Sequence, residues 1–275
     1  MTADAELIRF ELGNQIAASR AFLGVDPALA DRYGLGMAEV AGLTCSSCRV
    51  WDAPLFNRAI GAGVLGSLDA SGLEAIRDHY KGRTSAIELY DGITPDPIVR
   101  LLESRGFAPT GHGLLANVLE TDRVPALGPP GSGITVERCA AADLATFAVL
   151  TREGFEAPGE VGSFFEDATL AALRGLPESQ VVAFLARVDG VPAGTGLLVL
   201  SDRVAGLYSG SVVPAFRGRG IQHQLIVARV REGLRHGRRV FVSQTEGDNA
   251  STHNLHDAGF RTLYRAGWWA PPAAV

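Results

Sequence analysis

Apolar spacing divides the chain into short elements on either side of one unpatterned stretch. Residues 4–23 place Leu7, Ile8, Phe10, Leu12, Ile16 and Phe22 on an apolar side broken by Glu6, Glu11 and Gln15, which predicts a helix. Residues 37–50 read as one or two strands with a turn at Gly42, and 55–63 as another short strand. Ser71-Gly72-Leu73-Glu74 has the form of a capping box, so a helix capped by Ser71 is expected to run to about Tyr80. A strand at 84–90 and a helix from Pro95 follow. The helix stops at Arg105-Gly106, where glycine favours a terminus, and a strand at 112–119 comes next.

The pattern then lapses. Residues 121–133 hold three prolines and three glycines, the composition of a linker. This predicts a first domain over 1–121, a linker over 122–133 and a second domain over 134–275. The second half reads as a strand at 134–139, helices at 141–153 and 162–174, and strands at 181–188 and 192–200 joined by an Asp189-Gly190 hairpin turn. A strand at 204–213, a helix at 221–236, a strand at 239–244, a helix at 249–258 and a strand at 261–269 complete it. The 221–236 helix has two apolar stripes, one of Ile221, Leu225 and Ala228 and one of Val227, Val230 and Leu234, as expected of a helix wedged into a core.

Composition narrows the classes. The 275 residues are 47% hydrophobic and 20% charged, enough for a core in one large or two small domains. A net charge of -5 argues against nucleic-acid binding by general electrostatics. No run of 18 apolar residues suggests a membrane helix, and the acidic N-terminus lacks the basic start of a signal peptide, so a cytoplasmic protein is expected. Cys45, Cys48 and Cys139 are an odd set. Cys45-Ser-Ser-Cys48 has no second pair for zinc and lies in a strand-like run, so neither a disulfide framework nor a metal site is expected. His253 and His256 share a helix face but lack an evident third ligand.

One segment carries chemistry: Val212-Val213-Pro214-Ala215-Phe216-Arg217-Gly218-Arg219-Gly220-Ile221-Gln222, between a strand and a helix start. A helix N-terminus presents unpartnered N–H groups and positive potential. Glycines let the backbone approach a ligand closely, and Arg217 and Arg219 add forked cationic donors. Together they make an anion cradle suited to a phosphate or pyrophosphate. The dinucleotide fingerprint and the Gly-Lys-Ser/Thr loop both fail to fit. A plain Arg-rich surface turn capping the helix is the alternative.

With its flanks, this segment resembles the acetyl-CoA loop of the GCN5-related N-acetyltransferase (GNAT) family, a strand ending in Val-x-Pro followed by Arg/Gln-x-x-Gly-x-Gly/Ala. Arg217, Gly218, Arg219, Gly220 and Ile221 match, while Gln222 stands where Gly or Ala is usual. The order of elements over 134–270 is similar to the family's fold. The halves also resemble each other: Leu101 to Phe107 parallels Asn254 to Phe260, each a helix, Gly-Phe, then a strand. The resemblance therefore implies an α/β protein of two tandem GNAT-like domains, each a mostly antiparallel sheet flanked by helices. The first has no counterpart to the loop, so one cofactor site is expected, in the second.

The resemblance implies an N-acyltransferase that moves an acetyl or other small acyl group from acetyl-CoA, or another short acyl-CoA, directly to an amine, without a metal. The CoA would lie in a V-shaped opening between the strands ending at Val213 and Gln244. Backbone groups of Ser211, Val212 and Val213 would hold its pantetheine arm, and amides from Gly218 to Gln222 its pyrophosphate. The tyrosine that many members use as the acid is Leu255 here. Ala250-Ser251 matches the variant in ribosomal-protein acetyltransferases, which makes Ser251 the candidate partner of the departing thiol, against a reading as a simple helix-start residue. Glu246 is the candidate base by topology, with Glu153 and Glu156 as alternatives, and Tyr208 could line the cleft or the core. The expected acceptor is a small-molecule amine, with no nucleic-acid or membrane partner. Trp268 and Trp269 suit a core or a homodimer face. A non-catalytic CoA-binding or sensing module, and altered chemistry such as O-acylation or decarboxylation, remain alternatives.

Overall fold

A computed structural model of the chain describes residues 3–24, 26–129 and 131–271. The chain divides into two compact units, Met1–Ala116 with Leu263–Val275, and Asn117–Thr262. The first is built from α1 (Ala3–Leu23), α2 (Pro27–Tyr33), β1 (Gly36–Val40), β2 (Leu43–Ser47), β3 (Arg58–Ile60), α3 (Ala70–His79), β4 (Ala86–Tyr90), α4 (Asp96–Ser104) and the first part of β5 (Ala108–Glu120). The second continues with β6 (Ile134–Arg138), α5 (Leu144–Gly154), α6 (Gly159–Gly175), β7 (Val181–Val188), β8 (Val191–Leu200), β9 (Val204–Val212), α7 (Ile221–Arg235), β10 (Val240–Thr245) and α8 (Ala250–Asp257). The last strand is β11 (Arg261–Ala270). From Leu263 onward it belongs to the first unit.

The fold is a mixed α/β one, and most strand pairs are antiparallel. In the first unit β1 pairs with β2 and β2 with β3 antiparallel, while β3 and β4 are parallel. Beside β4 runs β11, antiparallel, with Ala266 opposite Tyr90 and Trp268 opposite Glu88. In the second unit β6, β7, β8 and β9 pair antiparallel in sequence order, and β9 and β10 are parallel. The 122–133 segment expected to be a linker falls within the second unit, with Pro130 outside the described residues.

Local chemistry explains where elements start and stop. The short helix α2 was not foreseen, because seven residues show little periodicity. Its start and stop signals are nevertheless present: Asp26 accepts the Ala28 N–H at 2.8 Å, and Gly34 ends the helix at φ 64°. The cap of α3 is Asp69, not Ser71. Asp69 Oδ1 accepts the Gly72 N–H at 2.8 Å, and the Ser71 hydroxyl donates to the same oxygen. A carboxylate two residues earlier outcompetes the serine for the helix terminus. The Gly-Phe repeat has one geometry in both halves. Gly106 (φ 77°) and Gly259 (φ 88°) turn the chain, and the N–H groups of Phe107 and Phe260 bond back to Leu102 O and Leu255 O at 2.9 and 3.0 Å. These are Schellman stops, and both phenylalanines then enter the core.

Strand periodicity orients the second unit. Val182, Phe184, Ala186 and Val188 of β7 cluster with Ile221, Leu225, Ile226 and Val230 of α7. Leu185, between them in sequence, clusters with Leu150 of α5. Alternate residues of a strand face opposite sides, so α5 and α7 cover opposite faces of this sheet.

The first unit encloses a polar cluster. Glu88 on β4 is fully buried and meets Arg58 on β3 at 2.7 Å, an ionic contact without hydrogen-bond alignment. Trp268 Nε1–H, Gln15 Nε2–H and the Tyr90 hydroxyl surround the same carboxylate at 3.4, 3.5 and 3.1 Å. Nearby, the Tyr264 hydroxyl donates to Glu11. Burial, then the neighbouring carboxylates, hold both tyrosines protonated well above their ordinary range. Removing one partner of such a pair strands a buried charge. Arg58→Met should therefore cost about 3–5 kcal/mol in denaturant unfolding. Adding Glu88→Gln should recover part of it, and a loss below about 1 kcal/mol would show the pair to be structurally idle.

Candidate acyl-CoA cleft

The loop after β9 is shaped by two left-handed glycines, Gly218 (φ 76°) and Gly220 (φ 79°). A Cβ at either would meet nothing, so the backbone conformation and not crowding selects glycine there. Gly220 stands at the N-terminus of α7, and no side chain caps that terminus. Among the described residues, the N–H groups of Gly218 through His223 find no acceptor. All of these residues but Arg219 line a cleft of about 480 Å³.

The cleft follows from how β9 leaves its neighbours. Its parallel pairing with β10 ends at Gly206 opposite Val242, and the two strands part beyond that point. Across β8 the register slips. Leu197 faces Tyr208 and Thr195 faces Ser211, so Ser209 and Gly210 together oppose Gly196. This is a β-bulge, and Ser209 takes a left-handed φ of 46° within it. Side-chain donors meet the displaced carbonyls. Ser243 Oγ donates to Leu207 O at 2.8 Å, Arg229 Nη1 to Tyr208 O at 3.3 Å, and Thr195 Oγ1 to Ser209 O at 3.4 Å.

The structure brings most of the expected cofactor residues together. Ser211, Val212, Arg217, Gly218, Gly220, Ile221 and Gln222 all line the cleft, as does Ser251 from the first turn of α8. Val213 does not. It is buried, and its N–H bonds Ala193 O at 3.0 Å. Arg219 stays outside, its guanidinium carbon 5.2 Å from the Phe216 ring centre. Arg217 acts as a strut. Its Nε donates to Val212 O, and its Nη2 to Gly154 O and Glu156 Oε2, at 3.1, 3.0 and 3.0 Å. Glu246 is exposed outside the lining, and its carbonyl accepts Asn249 Nδ2–H at 2.7 Å. Tyr208 is half-buried on β9, also outside it. Glu153 contacts Arg152, and Leu255 is buried in the α7 core.

Sequence reasoning missed five cleft residues. Gly154 and Phe155 come from the end of α5, Gly210 from the bulge, His223 from the first turn of α7 and Asn254 from α8. A glycine inside a strand pattern was a signal for Gly210. Asn254 lies four residues after Ala250, on the same face of α8. His223 Nε2 lies 3.4 Å from Asp257 Oδ2 without hydrogen-bond alignment. Elsewhere, His253 contacts Asp248 and His256 contacts Thr262. The thiols of Cys45 and Cys139 are each pushed up to about 11, chiefly by burial. Among the described residues, no group of three His, Cys, Asp or Glu is placed to hold a metal, and no helix is long and apolar enough to cross a membrane.

This arrangement has counterparts. Residues 147–260 match the profile of the acetyltransferase (GNAT) family. Two curated relatives, the aminoglycoside N(6')-acetyltransferases type 1 of Salmonella typhimurium and Salmonella enteritidis, are each 34% identical over 100 residues, covering 33% of this chain and 69% of theirs. The chain belongs to the GNAT family. Among solved structures, a GCN5-related N-acetyltransferase from Kribbella flavida matches 95% of this chain and 96% of its own, at 16% identity and a TM-score of 0.64. A tandem GNAT protein from the clavulanic acid biosynthesis pathway matches 97% and 96%, at 17% identity and a TM-score of 0.62. The fold is thus shared along nearly the whole chain.

The first turn of α8 depends on Asn249, whose Oδ1 accepts the N–H groups of Ser251 and Thr252 at 2.9 and 3.2 Å. Asn249→Ala should cost about 1 kcal/mol. Thermal unfolding measures this, and an unchanged midpoint would mean that the cap is replaceable by water.

Proposed function

We infer that the cleft binds acetyl-CoA or another short acyl-CoA as co-substrate, and that the protein transfers the acyl group to an amine. One observation carries the reading: the α7 N-terminus presents uncapped amides beyond two left-handed glycines, beside the opening between β9 and β10. Such a terminus is an anion site suited to a pyrophosphate. The splayed strands offer a channel for an extended arm lined by Ser211 and Val212. Among the described residues, Gln222 Oε1 is buried without a hydrogen-bond partner, as fits an acceptor for a ligand N–H such as a pantetheine amide.

The first unit supports the choice of site by contrast. Its β3–α3 connection is the topological equivalent of β9–α7, but Asp69 occupies the α3 terminus, and hydrogen bonds to the Gly72 and Ser71 groups keep its carboxyl below the usual range. The amides of Val64, Leu65 and Gly66 all bond Gly61 O, and the Gly61 N–H bonds the Tyr90 hydroxyl at 2.7 Å. An anion would meet a carboxylate there, at the terminus that is left open on α7.

Holding the amine against a thioester supplies most of what transfer needs. Ser251 lies in the cleft wall, where it can donate to the departing sulfur. The relatives named as aminoglycoside N-acetyltransferases favour nitrogen as the receiving atom. On this reading the acceptor is a small amine.

Acetyl-CoA should raise the melting temperature of the native chain by mass action. Gly220→Asp would set a carboxylate at the α7 terminus, as Asp69 does at α3, and should abolish the shift in a protein that still folds. No shift of the native chain at millimolar acetyl-CoA would sink the reading. Ser251→Ala should leave that shift intact while slowing thiol release, measured across a panel of amines, by about tenfold or more. Equal thiol release in both proteins would remove Ser251 from the chemistry.

A further inference from the structure

Arg229, on α7, is 2% exposed, and burial lowers its affinity for the proton, to a pKa of about 9. Among the described residues it has no carboxylate partner. Its Nε donates to Leu225 O at 3.0 Å and its Nη1 to Tyr208 O at 3.3 Å. Arg58, the other buried arginine of the described residues, is neutralised by Glu88. An unneutralised buried cation opposes folding, and a neutral donor could meet the Tyr208 carbonyl without that cost.

The surroundings of Arg229 are cut to fit it. A Cβ at Gly196 of β8 would lie 3.0 Å from its Nε, and one at Gly210 of β9 would lie 2.7 Å from Gln222 Nε2 and 3.1 Å from Arg229 Nη2. Two strand glycines therefore let the guanidinium lie against the back of the bulge. Gly210 itself lines the cleft. Glu232, one turn further along α7, is held by Arg138, Arg235 and His236. The facing strands β8, β9 and β10 carry a single titratable side chain, Tyr208.

With the phosphates at the Gly218–Gln222 amides and the arm running back along Val212 and Ser211, the acyl end arrives at Gly210. We propose that Arg229 is a positioning residue whose buried charge, set behind Gly210, biases the acyl end of the cleft toward negative charge. During transfer the amine nitrogen bonds to the thioester carbon and gives up a proton, the C–S bond breaks, and the electron pair leaves on sulfur, which takes up a proton to depart as the thiol. Negative charge develops first on the carbonyl oxygen and then on the sulfur. A fixed cation behind one glycine favours both without touching either. It also supplies electrostatic help where Leu255 replaces the family's usual acid. The proposal rests on the acyl-CoA reading.

The test needs no acceptor. S-carboxymethyl-CoA carries a carboxylate at the acyl end, one carbon beyond the position of the acetyl carbonyl. Calorimetry at pH 7.5 should show the native chain binding the carboxymethyl analogue at least tenfold more tightly than acetyl-CoA. Arg229→Met and Arg229→Gln should bring the two affinities within twofold of each other. Both variants should still bind acetyl-CoA, so the ratio of the two affinities reads the charge, and Arg229→Gln retains a donor for the Tyr208 carbonyl. Native binding of acetyl-CoA without the preference, or a preference that survives both substitutions, overturns the proposal alone. Native binding of neither ligand overturns the acyl-CoA reading and the proposal together. Failure of both variants to fold also overturns it, because a cation required by the fold needs no further role.

Discussion

Where β9 and β10 stop pairing, the backbone faces a debt of unmet hydrogen bonds, since a carbonyl inside a protein must find a donor. Ser243, Arg229 and Thr195 supply those donors at consecutive carbonyls, Leu207, Tyr208 and Ser209. The opening is therefore a satisfied state of the sheet and not a frayed one. Each feature of the cleft depends on it. The bulge turns β9 away from β10, the loop departs where Arg217 ties it to the end of α5, and the α7 terminus is left aimed at the gap.

The two units show how little separates a receptive connection from a sealed one. Both run strand, glycine-bearing loop, helix and parallel strand. In one the helix terminus is left without a cap, while in the other an aspartate fills it and a tyrosine hydroxyl closes the strand end. A single carboxylate is enough to invert the electrostatics of a helix N-terminus. The loss of the anion cradle in the first half thus doubles as a gain in self-sufficiency.

Much of this was legible in the chain. Periodicity marked the strands and helices of both halves except the short α2, and the Gly-Arg run before Ile221 marked the cradle, because backbone conformation and charge are local properties. The bulge was hidden, since it depends on register against β8, although Gly210 hinted at it. Ser71 looked like a cap because its capping-box partner Glu74 was in place, and only the stronger acceptor at Asp69 decided otherwise. Arg229 lies between the two apolar stripes of its helix, where a sequence reading assumes solvent. Its burial becomes visible only when Gly196 and Gly210 are found against it. Arg217 read as a phosphate ligand, and the structure gives it a bracing role, which local sequence does not distinguish.

The membership of β11 was the least legible feature, because strand partners far apart in sequence leave no local trace. Its consequence concerns the order of synthesis. The first unit begins at the N-terminus, yet its sheet includes a strand that ends at Ala270. A ribosome must release everything from β4 through β11 before Trp268 can settle beside Glu88. Until then β4 keeps an unpaired edge, the kind of surface that invites mispairing with other nascent chains. The half that emerges first is thus the half that finishes last, and its exposure while waiting grows with the time needed to translate everything in between.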